Sequence, residues 1–501
     1  MLNTKIYFCI LVVWGLIMLS CKHSQNQVKT SGKKYKPTWE SLTQHPDPKW
    51  FDDAKFGIYW HWGVYSVPAY RTEWYPRWMY SKAHEIYKYH EEHYGHNFGY
   101  KDFIPMFTAE RFNVDEWADL ILKSGAKFAG PVAQHHDGFA MWDSDITERD
   151  VADMGPKRDI MREFEKALRS RGLKFMVSFH HTRRWWYYEP SYEGNYDTKD
   201  PRFAGAHKIY PPIHNPGDPP TEEYMQDWEN RLKEVVDKYQ PDLVWFDGGL
   251  NREKFFRASL PKFREHVKRF LAYYYNKAEE WGKEVVVTYK NNDLPEGAGI
   301  LDIERGRMNK LSARKWLTDT AVSRRGWCYI QHPDYKSVNE LVDVLVDIVS
   351  KNGNLLLNIG PRPDGTIPPT QRGLLLEIGE WLTINGEAIY GTRPWIIYGE
   401  GPTAGGESVI KEKNEVEYTN KDIRFTTKGD VLYAIVLDWP GKQTVIKSLK
   451  NAKIKSVSML GLNEKLEWKQ TEEGLTIKTP IHRPGDHAYT FKIEFKGDLP
   501  R

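Results

Sequence analysis

From about residue 110 the chain repeats one pattern: apolar residues at helical spacing, a short turn, then a compact apolar run. In the first unit Asn113 or Asp115 can cap a helix through Lys123, with Trp117, Leu120 and Ile121 on one face. Gly125 closes it, and Lys127 to Ala133 reads as a strand. Asp159 to Ser170 then predicts a helix before a strand at Leu173 to Phe179, and Glu222 to Tyr239 a helix before Leu243 to Phe246. Pro261 to Glu280 precedes Val285 to Tyr289, and Val338 to Lys351 precedes Leu355 to Ile359. Alternation of this kind implies an α/β fold with a parallel sheet, and about 350 residues between 40 and 395 favour a decorated (β/α)8-like barrel over an open sheet. After Trp395 the period changes. Short runs such as Ile423–Thr426, Val431–Leu437, Ile454–Met459 and Ala488–Phe495, with turn residues between them, predict an antiparallel β-sandwich over 396–501.

The N-terminus follows neither pattern. Lys5 precedes an apolar run from Ile6 to Leu19, too short for a comfortable membrane span, so residues 1–20 read as a signal peptide. The ending Met18-Leu19-Ser20-Cys21 resembles a bacterial lipoprotein box, which predicts an exported protein held on a membrane by lipid on Cys21. Residues 21–37 are polar and lysine-rich, suited to a flexible tether. Beyond Cys9 and Cys21 only Cys328 remains, in an apolar stretch, so the mature domains form no disulfide and Cys328 is expected as a buried thiol.

Composition narrows the function. The 71 basic and 68 acidic residues nearly cancel, so nothing favours nucleic acid as a partner. The 20 Trp and 29 Tyr offer flat apolar faces with polar edges, which suit stacking against sugar rings.

Polar residues collect where the strands end. His61 lies in Tyr59-Trp60-His61-Trp62-Gly63, which follows Lys55-Phe56-Gly57-Ile58; His135 and His136 follow the strand at 127, and His180 and His181 the strand at 173. Asp247 ends Leu243-Val244-Trp245-Phe246 and is followed by Gly248-Gly249, so one carboxylate stands at a tip whose backbone is free to turn. Trp245, two residues earlier, is expected on the same side as a wall for a flat ligand. Asp302 and Glu304 come later in a similar setting. In a barrel these tips share one face. Adjacent histidines on extended chain should point to opposite faces, and no His-x-x-x-His or Cys-x-x-Cys occurs, so no metal is expected. His90, His93 and His96 read as a solvated stretch. Phosphate-loop, dinucleotide and nucleophile-elbow motifs are absent from the sequence. Carboxylates with His, Trp and Tyr remain, the set used in glycoside hydrolysis.

The segments Lys55-Phe56-Gly57-Ile58, His61-Trp62-Gly63-Val64-Tyr65, Glu73-Trp74-Tyr75, His135-His136-Asp137-Gly138-Phe139, Trp245-Phe246-Asp247-Gly248 and Gly353-Asn354-Leu355-Leu356-Leu357-Asn358 resemble the α-L-fucosidases of glycoside hydrolase family 29, over residues 38–395. The resemblance implies a retaining exo-acting enzyme that needs no cofactor and takes fucosylated glycans. It implies Asp247 as nucleophile, with His61, His135, His136, His180, Glu73, Trp74 and Trp245 around the sugar. Glu304 is the expected acid/base, with Asp302 and Glu73 in reserve and a salt bridge to Arg305 or Arg307 as its structural alternative. The chain departs from the family at Gln134, where Lys is usual, at Phe179-His180-His181 followed by Arg183-Arg184-Trp185-Trp186, and at Lys290-Asn291-Asn292, where a sugar-binding Arg is expected. Two rival functions stay open at this point: a glycosidase for a related sugar such as an α-L-galactoside, and a catalytically silent carbohydrate-binding lipoprotein.

Overall fold

The structure, a computed structural model, describes residues 34–403, 410–412 and 417–500. The expected signal peptide, Cys21 and most of the tether lie outside the described residues.

Eight parallel strands close into the expected barrel: β1 (Phe56–Trp60), β2 (Phe128–Gln134), β3 (Lys174–Phe179), β4 (Leu243–Phe246), β5 (Val286–Lys290), β6 (Ile300–Asp302), β7 (Trp316–Ala321) and β8 (Gly353–Ile359), with β8 pairing back onto β1. The strands are buried on both faces, which is why they read as continuous apolar runs rather than alternating ones. Phe128, Val132, Met176, Leu243, Leu317 and Leu356 fill the interior. Gly130 is required for β2 and β3 to approach: a Cβ there would lie 1.7 Å from the Met176 carbonyl oxygen.

The main outer helices are α1 (Val114–Lys123), α2 (Ile160–Ser170), α3 (Glu222–Tyr239), α4 (Leu260–Trp281), α5 (Val338–Ser350) and α6 (Pro369–Asn385). The side-chain oxygens of Asn113, Asp159, Thr221 and Ser337 accept backbone N–H groups at the first turns of α1, α2, α3 and α5. Two elements escape the sequence pattern. α6 lacks a clear apolar stripe. β7 carries Thr318-Asp319-Thr320, which look like a turn but are buried and satisfied inside the barrel. Among the described residues no helix separates β5 from β6, or β6 from β7. The β6–β7 connection, which holds Glu304, therefore lacks the helical backing that an ideal βα unit supplies.

The second domain has a five-stranded antiparallel sheet and a three-stranded one. The first contains β9 (Arg393–Glu400), β10 (Ile423–Lys428), β11 (Val431–Val436), β13 (Ile454–Met459) and β16 (Tyr489–Phe495), in the order β9-β10-β11-β16-β13. The second contains β12 (Gln443–Ile446), β14 (Trp468–Thr471) and β15 (Gly474–Lys478), in the order β12-β15-β14. Their inner faces share a core that includes Phe425, Leu432, Ile477 and Phe491. Residues 410–411 are expected in this sandwich but pair instead with Gly306–Arg307 of the barrel.

One buried ion cluster couples the two domains. Asp347 of α5 is fully buried and pairs with Arg424 Nε of β10 (2.6 Å), Lys351 Nζ (2.7 Å) and Arg307 Nε of the β6–β7 connection (3.1 Å). Burial alone would favour the neutral acid, but these three cations hold the carboxyl far below its usual range.

Candidate active site

Histidines from the first three strand ends converge. His61 follows β1, His135 and His136 follow β2, and His180 follows β3; all four are buried. The ring centroids of His135 and His136 are 4.4 Å apart, those of His135 and His180 4.8 Å, and those of His61 and His180 5.0 Å. The expectation that His135 and His136 face opposite ways therefore fails. The register of β2 against β3 shifts between Val132 and Gln134, β2 ends there, and the chain turns at Gly138 with φ +91°, so strand alternation no longer governs the pair. Gln134, the departure from the family pattern, donates from Nε2 to the Gly138 carbonyl (2.8 Å) and shapes this turn. His181 turns away and packs on Trp228. His90 is also buried, between the Tyr75 hydroxyl and the Phe98 carbonyl, which corrects its reading as part of a solvated stretch.

The hydrogen bonds fix how these rings present themselves. Asn358 Nδ2 donates to the Trp327 carbonyl (2.6 Å), so its Oδ1 accepts from His61 Nδ1 (2.7 Å) and His61 Nε2 is left as an acceptor. His136 Nδ1 donates to the His180 carbonyl. Burial lowers the pKa values of His61, His135 and His136, the last to about 4, so neutral imidazoles line the pocket. His135 Nδ1 has no hydrogen-bond partner within the protein.

Asp247 stands at the tip of β4. Its Oδ2 lies 3.4 Å from His136 Nε2, 3.5 Å from His180 Nδ1 and 3.4 Å from Arg183 Nη1, and its backbone carbonyl accepts from Arg183 Nη2 (3.1 Å). Gly248 and Gly249 then turn with φ +74° and +93°. Burial pushes the carboxyl toward its neutral form, but the Arg183 guanidinium, together with hydrogen bonding from the facing His180 imidazole, outweighs it and holds the pKa well below the usual value.

Lys290 ends β5, in the stretch Tyr289–Asp293 where the family resemblance expects a sugar-binding arginine and the sequence offers no clean counterpart. Its Nζ lies 2.9 Å from Glu304 Oε2, 3.2 Å from Asp319 Oδ1, 3.6 Å from Asp247 Oδ1 and 3.8 Å from Asp302 Oδ2. Burial works against this charge, yet the surrounding carboxylates raise the pKa above its usual value. Asp302 is buried beneath, accepting from Trp245 Nε1 (3.1 Å), and burial beside Asp319 pushes its carboxyl toward the neutral form. Asp319 accepts from the Tyr59 hydroxyl (3.0 Å). Glu304 is open to the cleft, with its side chain 45% exposed.

Trp245 is buried at the top of the barrel core and belongs to the floor rather than to an open wall. Trp74 meets His136 edge-on at 5.0 Å. Glu73 is buried and accepts the Trp327 backbone N–H (3.0 Å); burial raises its pKa. On the Glu304 side a cavity of about 920 Å³ opens, lined in part by Arg183, Lys290, Arg305, Lys336 and Glu412. His61, His135 and His180 offer ligand atoms within 4.8 Å of one another, as do His136, His180 and Asp247, so either set can hold a metal ion. The same atoms suit sugar hydroxyls equally well.

Lys290, Arg183, Asp319 and Asn358 were not among the expected site residues. Lys290 follows directly on a predicted strand, so its place at a tip was readable. Asp319 had no such signal, because its strand was not predicted.

A barrel whose C-terminal end presents an ionised aspartate, a second carboxylate and a ring of neutral imidazoles defines a glycoside hydrolase site. The comparisons agree. The alpha-L-fucosidase family model matches residues 22–387, and the model for the alpha-L-fucosidase C-terminal domain matches residues 415–494. The chain is 33% identical to the tissue alpha-L-fucosidase of Rattus norvegicus over 96% of this chain and 97% of that one. It is also similar to the crystal structure of Thermotoga maritima alpha-fucosidase in complex with a mechanism-based inhibitor, with TM-score 0.73 and 33% identity over 92% of this chain and 100% of that one. The same Thermotoga maritima enzyme in complex with fucose matches with TM-score 0.72 and 34% identity over the same shares. The chain belongs to the alpha-L-fucosidase family of glycoside hydrolases.

The electrostatics of Asp247 are open to a direct test. Replacing Arg183 by methionine removes the cation that lowers its pKa while His136, His180 and Lys290 still face it. A group whose folded pKa is depressed stays ionised until pH falls through that value, so losing the cation should move the acidic limb of the kcat/KM profile to higher pH. An acidic limb that stays in place while activity merely scales down would show that Arg183 does not set this ionisation.

Proposed function

We propose that this fucosidase hydrolyses with retention through a covalent glycosyl-enzyme, with Asp247 as nucleophile and Glu304 as acid/base. The observation that carries the reading is an aspartate kept ionised beside a second carboxylate that shares one ammonium with it. Asp247 attacks the anomeric carbon and forms the carbon–oxygen ester bond as the glycosidic bond breaks. As general acid, Glu304 gives a proton to the departing oxygen. In the second step Glu304 takes a proton from water, the water oxygen bonds to the anomeric carbon, and Asp247 is released. Lys290 Nζ lies 3.6 Å from Asp247 Oδ1 and 2.9 Å from Glu304 Oε2, so these two oxygens are no more than about 6.5 Å apart, which leaves room for the spacing of a retaining pair. Asp302 and Glu73 are less suited to the acid role, because both are buried, whereas the leaving group must sit in the cleft.

The remaining expected residues take binding roles in this reading. His61, His135, His136 and His180 meet the sugar hydroxyls, Trp74 flanks the ring, Trp245 forms the floor, and Glu73 anchors Trp327 behind His61. The substrate is a terminal fucosyl residue on a glycan. The N-terminal pattern ending in Ser20-Cys21 supports export and lipid anchoring of the mature chain in the periplasm or at the surface of a bacterium. Among the described residues no helix is long and apolar enough to cross a membrane.

Two measurements test these assignments. With 4-nitrophenyl α-L-fucoside, Asp247→Ala should lower kcat/KM on the order of 10⁴-fold or more. Glu304→Ala should lose on the order of 10² to 10⁴-fold on a natural glycan but far less on the aryl substrate, whose leaving group needs little protonation. Equal losses on the two substrates would remove Glu304 from the acid role. For the anchor, Cys21→Ala should move the expressed protein from the membrane fraction to the soluble one; unchanged fractionation would exclude lipid on Cys21.

A further inference from the structure

Among the described residues the β6–β7 connection contains no helix of its own, yet it must hold Glu304 in place. Another part of the chain supplies the support. Residues 410–412 belong to the segment between β9 and β10 of the second domain, but they cross to the barrel and pair with this connection. Ile410 and Lys411 stand antiparallel to Arg307 and Gly306, and the Glu412 N–H donates to the Arg305 carbonyl (3.0 Å).

Arg305 directly follows Glu304 and is a non-glycine residue at φ +43°. A side chain in that region costs about 1 kcal/mol or more, so the turn persists only where its surroundings fix it. Its N–H donates to the Asp319 carbonyl (2.9 Å) and its carbonyl takes the Glu412 N–H. Its guanidinium donates to the Glu412 carboxylate (3.1 Å) and to the carbonyls of Ser323 and Gly326 (3.2 Å each), and it lies 4.4 Å over the Trp327 ring. The other Glu412 oxygen accepts from Lys336 Nζ (2.7 Å) and from the Thr320 hydroxyl. Glu412 thus closes a joint between the second domain, β7 and the turn that aims Glu304.

We infer that Glu412 is a positioning residue for leaving-group protonation: it holds the Arg305 turn, and through it Glu304, from outside the barrel. The inference rests on Glu304 as the acid/base. It makes the second domain part of the catalytic apparatus rather than only a support for the barrel. Glu412 lines the cavity on the Glu304 side, whereas the imidazoles of the sugar pocket are tied to β1, β2, β3 and Asn358, so its loss is expected to act on the leaving-group side and not in the sugar pocket.

The test is a series of aryl α-L-fucosides of rising leaving-group pKa, run on the full-length wild type, Glu304→Ala, Glu412→Ala and Glu412→Asp. The thermal midpoint of each variant is checked first. Glu412→Ala should lose about 10-fold more kcat/KM on the poorest leaving group than on 4-nitrophenyl fucoside, a fraction of the general-acid contribution, and Glu412→Asp should recover part of it. Arg305→Lys, which keeps the charge but loses the fork at this joint, should show the same slope and covers the case in which Glu412→Ala does not fold. A steep series for Glu304→Ala with a flat one for Glu412→Ala or Arg305→Lys overturns the positioning role alone. A flat series for Glu304→Ala overturns the acid/base assignment, and the positioning role with it.

Discussion

The ammonium of Lys290 lies within 4 Å of carboxylate oxygens from Asp247, Asp302, Glu304 and Asp319, supplied by four different places around the barrel mouth. Without a cation at that point, several like charges would meet in a buried site, and the cheapest response would be protonation. With it, charge divides unevenly. Asp247 is held toward its charged form because Arg183 and His180 also face it. Asp302, deeper and beside Asp319, is pushed toward its neutral form. The site therefore separates a carboxylate ready to attack from a buried acid that braces the barrel mouth.

That arrangement depends on the strand ends being held in register. β1 to β5 and β8 present their tips from a core packed on both sides, and their histidines and Asp247 need little further support. The stretch from β5 to β7 is different. It lacks intervening helices, and it carries Lys290, Asp302, Glu304 and Asp319 on short strands and turns. Side-chain links replace the missing layer: Asp347 binds Arg307 of this stretch and Arg424 of the second domain, and Glu412 binds Arg305. The second domain packs on α5 and α6 and reaches this stretch through residues 410–412 and Arg424.

The sequence pattern made much of this legible, for a physical reason. Fully buried parallel strands must be apolar throughout, so β2, β3, β4, β5 and β8 stood out, and the polar residues at the ends of β2, β3 and β4 were marked as site candidates. Asp247 and the histidines were found this way. β7 was not, because its buried Thr318, Asp319 and Thr320 are satisfied by partners distant in sequence, which no local pattern shows. Lys290 and Arg183 were visible as residues, but their roles depend on carboxylates brought together only by barrel closure. The opposed facing expected of His135 and His136 assumed extended chain one residue too far. The family resemblance identified Glu304 from its distance after Asp247, whereas its bond to Lys290 required the fold.

The central claim is that Asp247 is an ionised nucleophile that bonds to the sugar. Incubation with 2-deoxy-2-fluoro-α-L-fucosyl fluoride, followed by proteolysis and mass spectrometry, tests it most directly, since the 2-fluorine slows both steps while the good fluoride leaving group restores the rate of the first, so the intermediate accumulates. The account predicts one fluorofucosyl adduct, located on the peptide containing Trp245-Phe246-Asp247 and on Asp247 itself. Turnover of the probe with no adduct, or an adduct on a different carboxylate, would contradict it.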